Sequence, residues 1–177
     1  MKTLETERMI LRPWDIDDLE DFYEYSKSEN VGPNAGWEPH KNKEVTLEIL
    51  KSFIEKDEVR AIVYKDNDKV IGSVGVHFDE KRDGINVKMI GYVLSEDYWG
   101  KGLMCEAVNG VLDHLFKEEK YDIISCYHYP FNLRSKRVIE KCGFKYEGTL
   151  RLSSKIFDGS VHDDVCYSIT QEEYFNR

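Results

Sequence analysis

Gly91-Tyr92-Val93-Leu94, then Trp99-Gly100-Lys101-Gly102, then Leu103-Met104-Cys105-Glu106-Ala107-Val108: here a strand-like run breaks into a glycine turn and goes straight into an amphipathic helix. The helix is read from two adjacent apolar rows, Leu103, Ala107, Val111 and Leu115 in one and Met104, Val108, Leu112 and Phe116 in the next. Glu106, Asn109, Asp113, His114, Lys117 and Glu118 fall on the other side. The body of such a helix packs into a core while its first turn stays open. Backbone N–H groups at a helix start, uncovered by glycine, seat a phosphate or pyrophosphate. Gly-x-Gly is also an ordinary strand-to-helix connection. No Gly-x-Gly-x-x-Gly follows an early strand and no Gly-Lys-Ser/Thr ends a Walker loop, so an anion here is held mainly by backbone and helix dipole.

Working outward, residues 7–12 read as a first strand stopped by Pro13, and Asp15 caps a helix carrying Ile16, Leu19, Phe22 and Tyr23. Residues 30–42 read as a loop punctuated by Gly32, Pro33, Gly36 and Pro39, before a helix over 44–56 with Val45, Ile49, Leu50 and Phe53 on one side. Strand patterns at 59–64, 70–78 and 86–94, joined by polar turns, form an antiparallel meander. After the glycine turn and its helix come a strand at 123–129, a helix at 133–142, and a hairpin of 144–156 with 161–169 around Asp158-Gly159. The order β-α-α-β-β-β-α-β-α-β-β is α+β: a mixed, mostly antiparallel sheet of about seven strands flanked by about four helices, with one right-handed crossover. A single domain over 1–177 is expected, with no internal repeat or linker.

The chain's 177 residues, 41% hydrophobic and 33% charged, are ordinary for a soluble protein with a substantial core. No apolar run approaches the roughly 18 to 20 residues that span a bilayer, and Met1-Lys2-Thr3-Leu4-Glu5 opens no signal peptide, so a cytoplasmic location without membrane partners is expected. The net charge of −9 argues against nucleic-acid binding and favours cationic molecules such as amines or basic polypeptides. Cys105, Cys126, Cys142 and Cys166 lack Cys-x-x-Cys or Cys/His spacing and sit in apolar segments, which predicts small buried hydrophobes and neither disulfides nor a metal site.

A second motif runs from Asn132 to Phe144. Asn132 is placed as a helix N-cap, Gly143 as the left-handed residue past the helix end, and Phe144 folds back on Ile139 as in a Schellman motif. That local account leaves one fact over: two helix starts, at 100–103 and 132–135, follow neighbouring strands and face the same sheet edge.

These residues together resemble the GCN5-related N-acetyltransferases (GNATs), most closely their ribosomal-protein-alanine (RimJ/RimL-type) branch. Tyr98-Trp99-Gly100-Lys101-Gly102-Leu103-Met104-Cys105-Glu106-Ala107 is similar to that branch's acetyl-CoA pyrophosphate loop. Asn132-x-x-Ser135 followed by Glu140-Lys141-Cys142-Gly143-Phe144 is similar to its second motif, and Glu147-Gly148, Arg151, Asp163 and Tyr167 to its closing hairpin. The resemblance spans residues 4–175. One departure concerns Asp97, where the wider superfamily has Gln or Arg, so phosphate binding rests on the N–H groups of Trp99 to Leu103.

The resemblance implies an acetyl-CoA-dependent N-acetyltransferase, without a metal, acting on a protein N-terminal amine, such as a ribosomal protein's, or on a small amine. It further implies that Tyr92-Val93-Leu94 splays from the next strand to pair with pantetheine, one N–H polarising the acetyl carbonyl, and that Asn132 bonds the cofactor arm. Ser135 matches the proton donor to the CoA sulfur; from spacing alone it reads equally as a serine closing a helix start. A free amine with a pKa of about 8 needs less help from a base than a lysine at about 10.4. His128, on the strand bordering the cleft, is the best-placed base, with His40, His77, Glu38, Asp163 or a water relay as alternatives. Trp37, Glu38, Pro39 and His40 occupy the loop where the family forms its acceptor wall, although Trp37 also reads as a core anchor. Homodimerisation, common in the family, is allowed. The competing reading is a CoA-binding sensor or interaction domain without turnover.

Overall fold

Alternating β-branched and aliphatic residues generate the meander. In a computed structural model describing residues 1–177, β1 (Leu4–Glu5), β2 (Met9–Pro13), β3 (Val59–Tyr64), β4 (Lys69–His77) and β5 (Val87–Leu94) pair in succession, all antiparallel. The next strand, β6 (Ile123–His128), lies parallel to β5, and β8 (Val161–Thr170) inserts between β6 and β7 (Lys145–Lys155). The sheet has eight strands, one more than about seven, because the two-residue β1 is too short to leave an alternating pattern.

Two helical layers cover it. On one face α1 (Leu19–Ser26) and α3 (Lys43–Lys56) bury Phe22, Tyr25 and Leu50 with Trp14, Ala61, Val63 and Val70. On the other α4 (Leu103–Lys117) buries all eight stripe residues against Ile62, Val74, Ile90 and Ile124. Truncating a fully buried member such as Leu112 to alanine costs roughly 2–5 kcal/mol. His114, expected on the polar side of α4, is buried instead and bonds Glu119 through Nε2 at 2.7 Å. Three cysteines are buried, whereas Cys105 is only half-buried, and all four are free thiols.

The predicted loop at 30–42 contains a one-turn helix, α2 (Gly32–Ala35), closed by left-handed Gly36. A Cβ at Gly32 would meet the Trp37 ring at 2.6 Å, so the glycine there admits the indole. Helix α5 (Leu133–Lys141) ends as anticipated: Gly143 has φ 86°, and the N–H groups of Gly143 and Phe144 reach the carbonyls of Glu140 and Ile139. A terminal helix, α6 (Gln171–Phe175), opens on a Thr170–Glu173 capping box and brings the helices to six.

β5 and β6 pair only through Val87–Ile123, Lys88–Ile124 and Met89–Ser125. Each strand then follows its antiparallel partner, β5 along β4 to Leu94 and β6 along β8 to His128, and the two splay apart. A crevice beyond the carboxyl ends of adjacent parallel strands is where open α/β sheets take ligands.

Candidate active site

The α4 side of the crevice is made of backbone. Gly100 and Gly102 both hold left-handed φ, 77° and 78°, and Gly102 is the N-cap of α4 with no side chain on the helix end. The N–H groups of Gly100 through Cys105 meet no acceptor in the protein and form a row at a helix N-terminus. Trp99 folds back so that its indole N–H donates to the Leu94 carbonyl at 2.8 Å. The loop is braced from behind by Arg8, which sequence reading passed over. Its guanidinium donates to the Lys101 carbonyl at 3.0 Å and to Glu106 at 2.7 Å, and its backbone N–H to Glu106 at 2.8 Å. Burial would raise the Glu106 carboxyl, but its hydrogen bonds, Arg8's among them, hold it below the usual range. The Lys101 side chain lies over the Tyr98 ring, 4.9 Å from its centroid, so Lys101 contributes to the loop through its backbone.

The facing wall is the start of α5. Asn132 caps it by accepting from the Ser135 N–H at 3.0 Å and donates across the crevice to the Asn34 carbonyl at 2.8 Å. Ser135 Oγ lies 3.1 Å from the Tyr92 hydroxyl, which also reaches the Ser135 carbonyl at 3.2 Å. Burial pushes the Tyr92 phenol well above its ordinary value, so it remains a protonated donor.

Two hollows meet at this point. One, about 540 Å³, runs between the glycine loop and α5, lined by Val93, Leu94, Trp99, Gly100, Gly102 and Leu103. The other, about 880 Å³, opens toward α1 and α3 and has an aromatic wall of Phe22, Trp37, Phe53, Tyr127 and Tyr129. Tyr92, Val93, Asn132 and Ser135 line both.

The residues predicted for the second hollow have distinct surroundings. His128 is buried at the end of β6; its Nδ1 donates to the Tyr129 carbonyl at 2.7 Å, which leaves Nε2 as a bare acceptor with no partner. His40 is buried between Phe22 and Trp37, its Nδ1 on Thr46 Oγ1 at 2.9 Å, and burial pushes its pKa down toward the neutral form. Trp37 packs on Gly32 in α2 and, tilted, against His40, with ring centroids 5.1 Å apart, while lining the hollow. Glu38 sits exposed on the rim, paired with Lys41 at 3.0 Å. Asp163 accepts from the Leu152 N–H, and His77 lies 3.5 Å from Glu58. The charge pair with the more buried carboxylate escaped sequence reading: Lys81 meets buried Asp164 at 2.9 Å and lies over the Tyr127 ring. No three His, Cys, Asp or Glu side chains gather as a metal would require, and no helix is long and apolar enough to cross a membrane.

A splayed parallel pair, a glycine loop opening a helix and a second capped helix facing it define an acyl-CoA transferase crevice. Residues 8–145 match the acetyltransferase (GNAT) domain, and the chain belongs to that family: it is an acetyl-CoA-dependent N-acetyltransferase. An uncharacterized N-acetyltransferase p20 of Bacillus licheniformis is 28% identical over 179 residues, covering 98% of this chain and 99% of its own length. The [ribosomal protein uS5]-alanine N-acetyltransferase of Escherichia coli is a more distant relative, 23% identical over 97% of this chain and 92% of that one. A GNAT-family acetyltransferase from Bacillus anthracis has the same fold, with a TM-score of 0.87 at 24% identity over 97% of this chain and 99% of its own.

Proposed function

We propose that this enzyme moves the acetyl group of acetyl-CoA to a primary amine, either a protein N-terminus or a small-molecule amine, by direct attack in a ternary complex. The observation that carries this reading is the junction: the two hollows share Tyr92, Val93, Asn132 and Ser135, so a thioester from one side and an amine from the other meet there. The diphosphate of CoA sits on the N–H row of Gly100–Leu103, and pantetheine runs along the freed edge of Tyr92-Val93-Leu94 with an N–H aimed at the acetyl oxygen.

The neutral amine attacks the acetyl carbon, and its surplus proton passes to His128 Nε2, directly or through one water. With the proton of Nδ1 held by the Tyr129 carbonyl, the lone pair is on Nε2. As the C–S bond breaks and the C–N bond is completed, Ser135 Oγ–H donates to the leaving thiolate, with the Tyr92 phenol behind it supplying a hydrogen bond to the serine oxygen. The products are the N-acetyl amide and CoA thiol; the serine regains its proton from water as His128 releases the one it took, which restores both side chains. His40, neutral and buried, and Trp37 form the acceptor wall, with Glu38 at its rim.

The test is thiol release from acetyl-CoA against a panel of peptides and small amines, run beside Ser135→Ala. The expected result is turnover with a subset of amines, and in the variant a lower kcat with unchanged acetyl-CoA affinity. Full activity in Ser135→Ala would leave it a helix-start serine. Tight acetyl-CoA binding with no thiol release for any amine would instead favour a binding module.

A further inference from the structure

The larger hollow, on the α1/α3 side, has two strands for its floor. Gly75 of β4 and Gly91 of β5 stand opposite each other, flanked by the pairs Ser73–Val93 and His77–Met89, and all six line the hollow. Val93 packs on the α1/α3 cluster, so by the alternation of a strand the whole row faces that helical layer. Neither glycine holds a left-handed φ, so the backbone requires glycine at neither position. Both leave bare main chain on the floor, and the two patches differ in what covers them. A Cβ on Gly75 would collide with the His77 imidazole, whereas a Cβ on Gly91 would meet nothing beyond its chain neighbours within 4 Å. One patch carries a planar ring of the chain itself, and the patch beside it is open.

The open patch lies within reach of the chemistry. Gly91 is two residues from Val93, about 7 Å along the strand, and Val93 lines both hollows where they meet. A group seated on Gly91 therefore reaches the junction through an arm of about two or three atoms.

The surroundings restrict what that group is. The wall above the floor is aromatic, with Phe22, Trp37 and Phe53 from the helical layer. Every charge on the lining already has a partner: Lys81 meets Asp164 at 2.9 Å, Lys41 meets Glu38 at 3.0 Å, and His77 lies 3.5 Å from Glu58. The Tyr127 phenol is committed as well, donating to Asp79 at 2.7 Å. A carboxylate or phosphate on the acceptor would find no free cation here, and a second ammonium no free acid. Either would lose its water without a replacement.

We infer that Gly91 is a specificity-determining residue whose bare backbone seats a planar apolar ring, and that the acceptor is an arylalkylamine: a primary amine on a short arm, with no second charge. This rests on the acetyl-transfer reading and narrows its acceptor to one class.

Thiol release from acetyl-CoA tests this with phenethylamine and tryptamine beside phenylalanine, butylamine and a peptide with a free alanine N-terminus. For at least one arylalkylamine, kcat/KM is expected to exceed that of the other three by about tenfold or more; phenylalanine fails through its carboxylate and butylamine for want of a ring. Gly91→Val, a β-branched residue suited to a strand, fills the patch. The KM for that arylalkylamine is expected to rise about tenfold and that for butylamine to stay within about twofold, with acetyl-CoA affinity by calorimetry unchanged. Should the valine variant fail to fold, Gly91→Ala, whose added carbon has free space, is expected to give the same pattern at about threefold. Equal changes for the arylalkylamine and butylamine would overturn the inference alone, and so would faster turnover of phenylalanine, butylamine or the peptide than of either arylalkylamine. Absence of thiol release with every amine of a broad panel would overturn the acetyl-transfer reading itself.

Discussion

On the α4 side of the crevice the groups offered to a ligand are main-chain N–H donors set by two left-handed glycines, with exposed cations beyond them. On the α1/α3 side nearly every polar group belongs to a side chain that already has a partner: Lys81 on Asp164, Glu38 on Lys41, His40 on Thr46. The Nε2 of His128, by contrast, is buried without one. A backbone site is specified by a few contiguous residues and binds the invariant part of a cofactor. A side-chain site draws on segments far apart in the chain, and changing any one of them alters the acceptor without disturbing the cofactor.

The sharpest way to break this contrast is to put a side chain into the backbone site. Gly102→Glu combines a φ of 78°, which costs an L-residue roughly 1–2 kcal/mol, with a negative charge added at the helix start that seats the diphosphate. A loss of acetyl-CoA affinity of more than about 100-fold is expected by calorimetry, with the protein still folded. Retained affinity would mean that the loop does not seat the phosphates.

On the side-chain face the largest effect is expected at His128. His128→Asn keeps a donor at the δ position for the Tyr129 carbonyl but removes the Nε2 acceptor, so kcat should fall by about 100-fold with acetyl-CoA affinity unchanged. A variant that keeps the wild-type kcat would move the base to His40, His77, Glu38, Asp163 or a water relay and leave His128 a packing residue against Tyr167.

The same contrast explains what could be read in advance. Trp99–Leu103 and Asn132–Phe144 were legible because cap, glycine and apolar spacing all lie within one local stretch. Arg8 was not, since its acceptors lie 93 and 98 positions away and nothing in the Glu7-Arg8-Met9 context marks it. The Tyr92–Ser135 contact, 43 positions apart, and the Lys81–Asp164 pair exist only after β5, β6 and β8 have assembled. α2 was hidden because Gly32-Pro33-Asn34-Ala35 has turn composition, and its one turn is held by Trp37. α6 did leave a signal, the Thr170–Glu173 capping box, but one turn after a strand is too short to show a helical period.

Arg8 tests whether the backbone site depends on outside support. Arg8→Ala removes the brace from the Lys101 carbonyl and from Glu106, an ion pair exposed enough that screening reduces it to about 1 kcal/mol. The KM for acetyl-CoA should rise about fivefold with kcat within about twofold, and Arg8→Lys should recover part of the loss. A fall in kcat at unchanged KM would show instead that the brace acts on the reacting end of the cofactor.

The smallest effect separates the two faces by proton rather than by ligand. Burial lowers the His40 pKa in the folded state, so between that value and the unfolded value of about 6.5 the unfolded chain binds more protons than the folded one. Stability is therefore full above about pH 6.5 and declines as the pH falls through this window, levelling off below the folded pKa. His40→Asn, which retains a donor at the δ position for Thr46, should flatten that part of the stability curve in urea titrations at stepped pH. The Gly100–Leu103 loop contains no carboxylate or imidazole, so affinity for 3′-dephospho-CoA, which lacks the phosphomonoester that titrates at about pH 6, should stay level over the same range. A parallel loss of affinity would mean that the acceptor wall and the cofactor seat yield together, and that the Asn132–Asn34 bond across the crevice couples them.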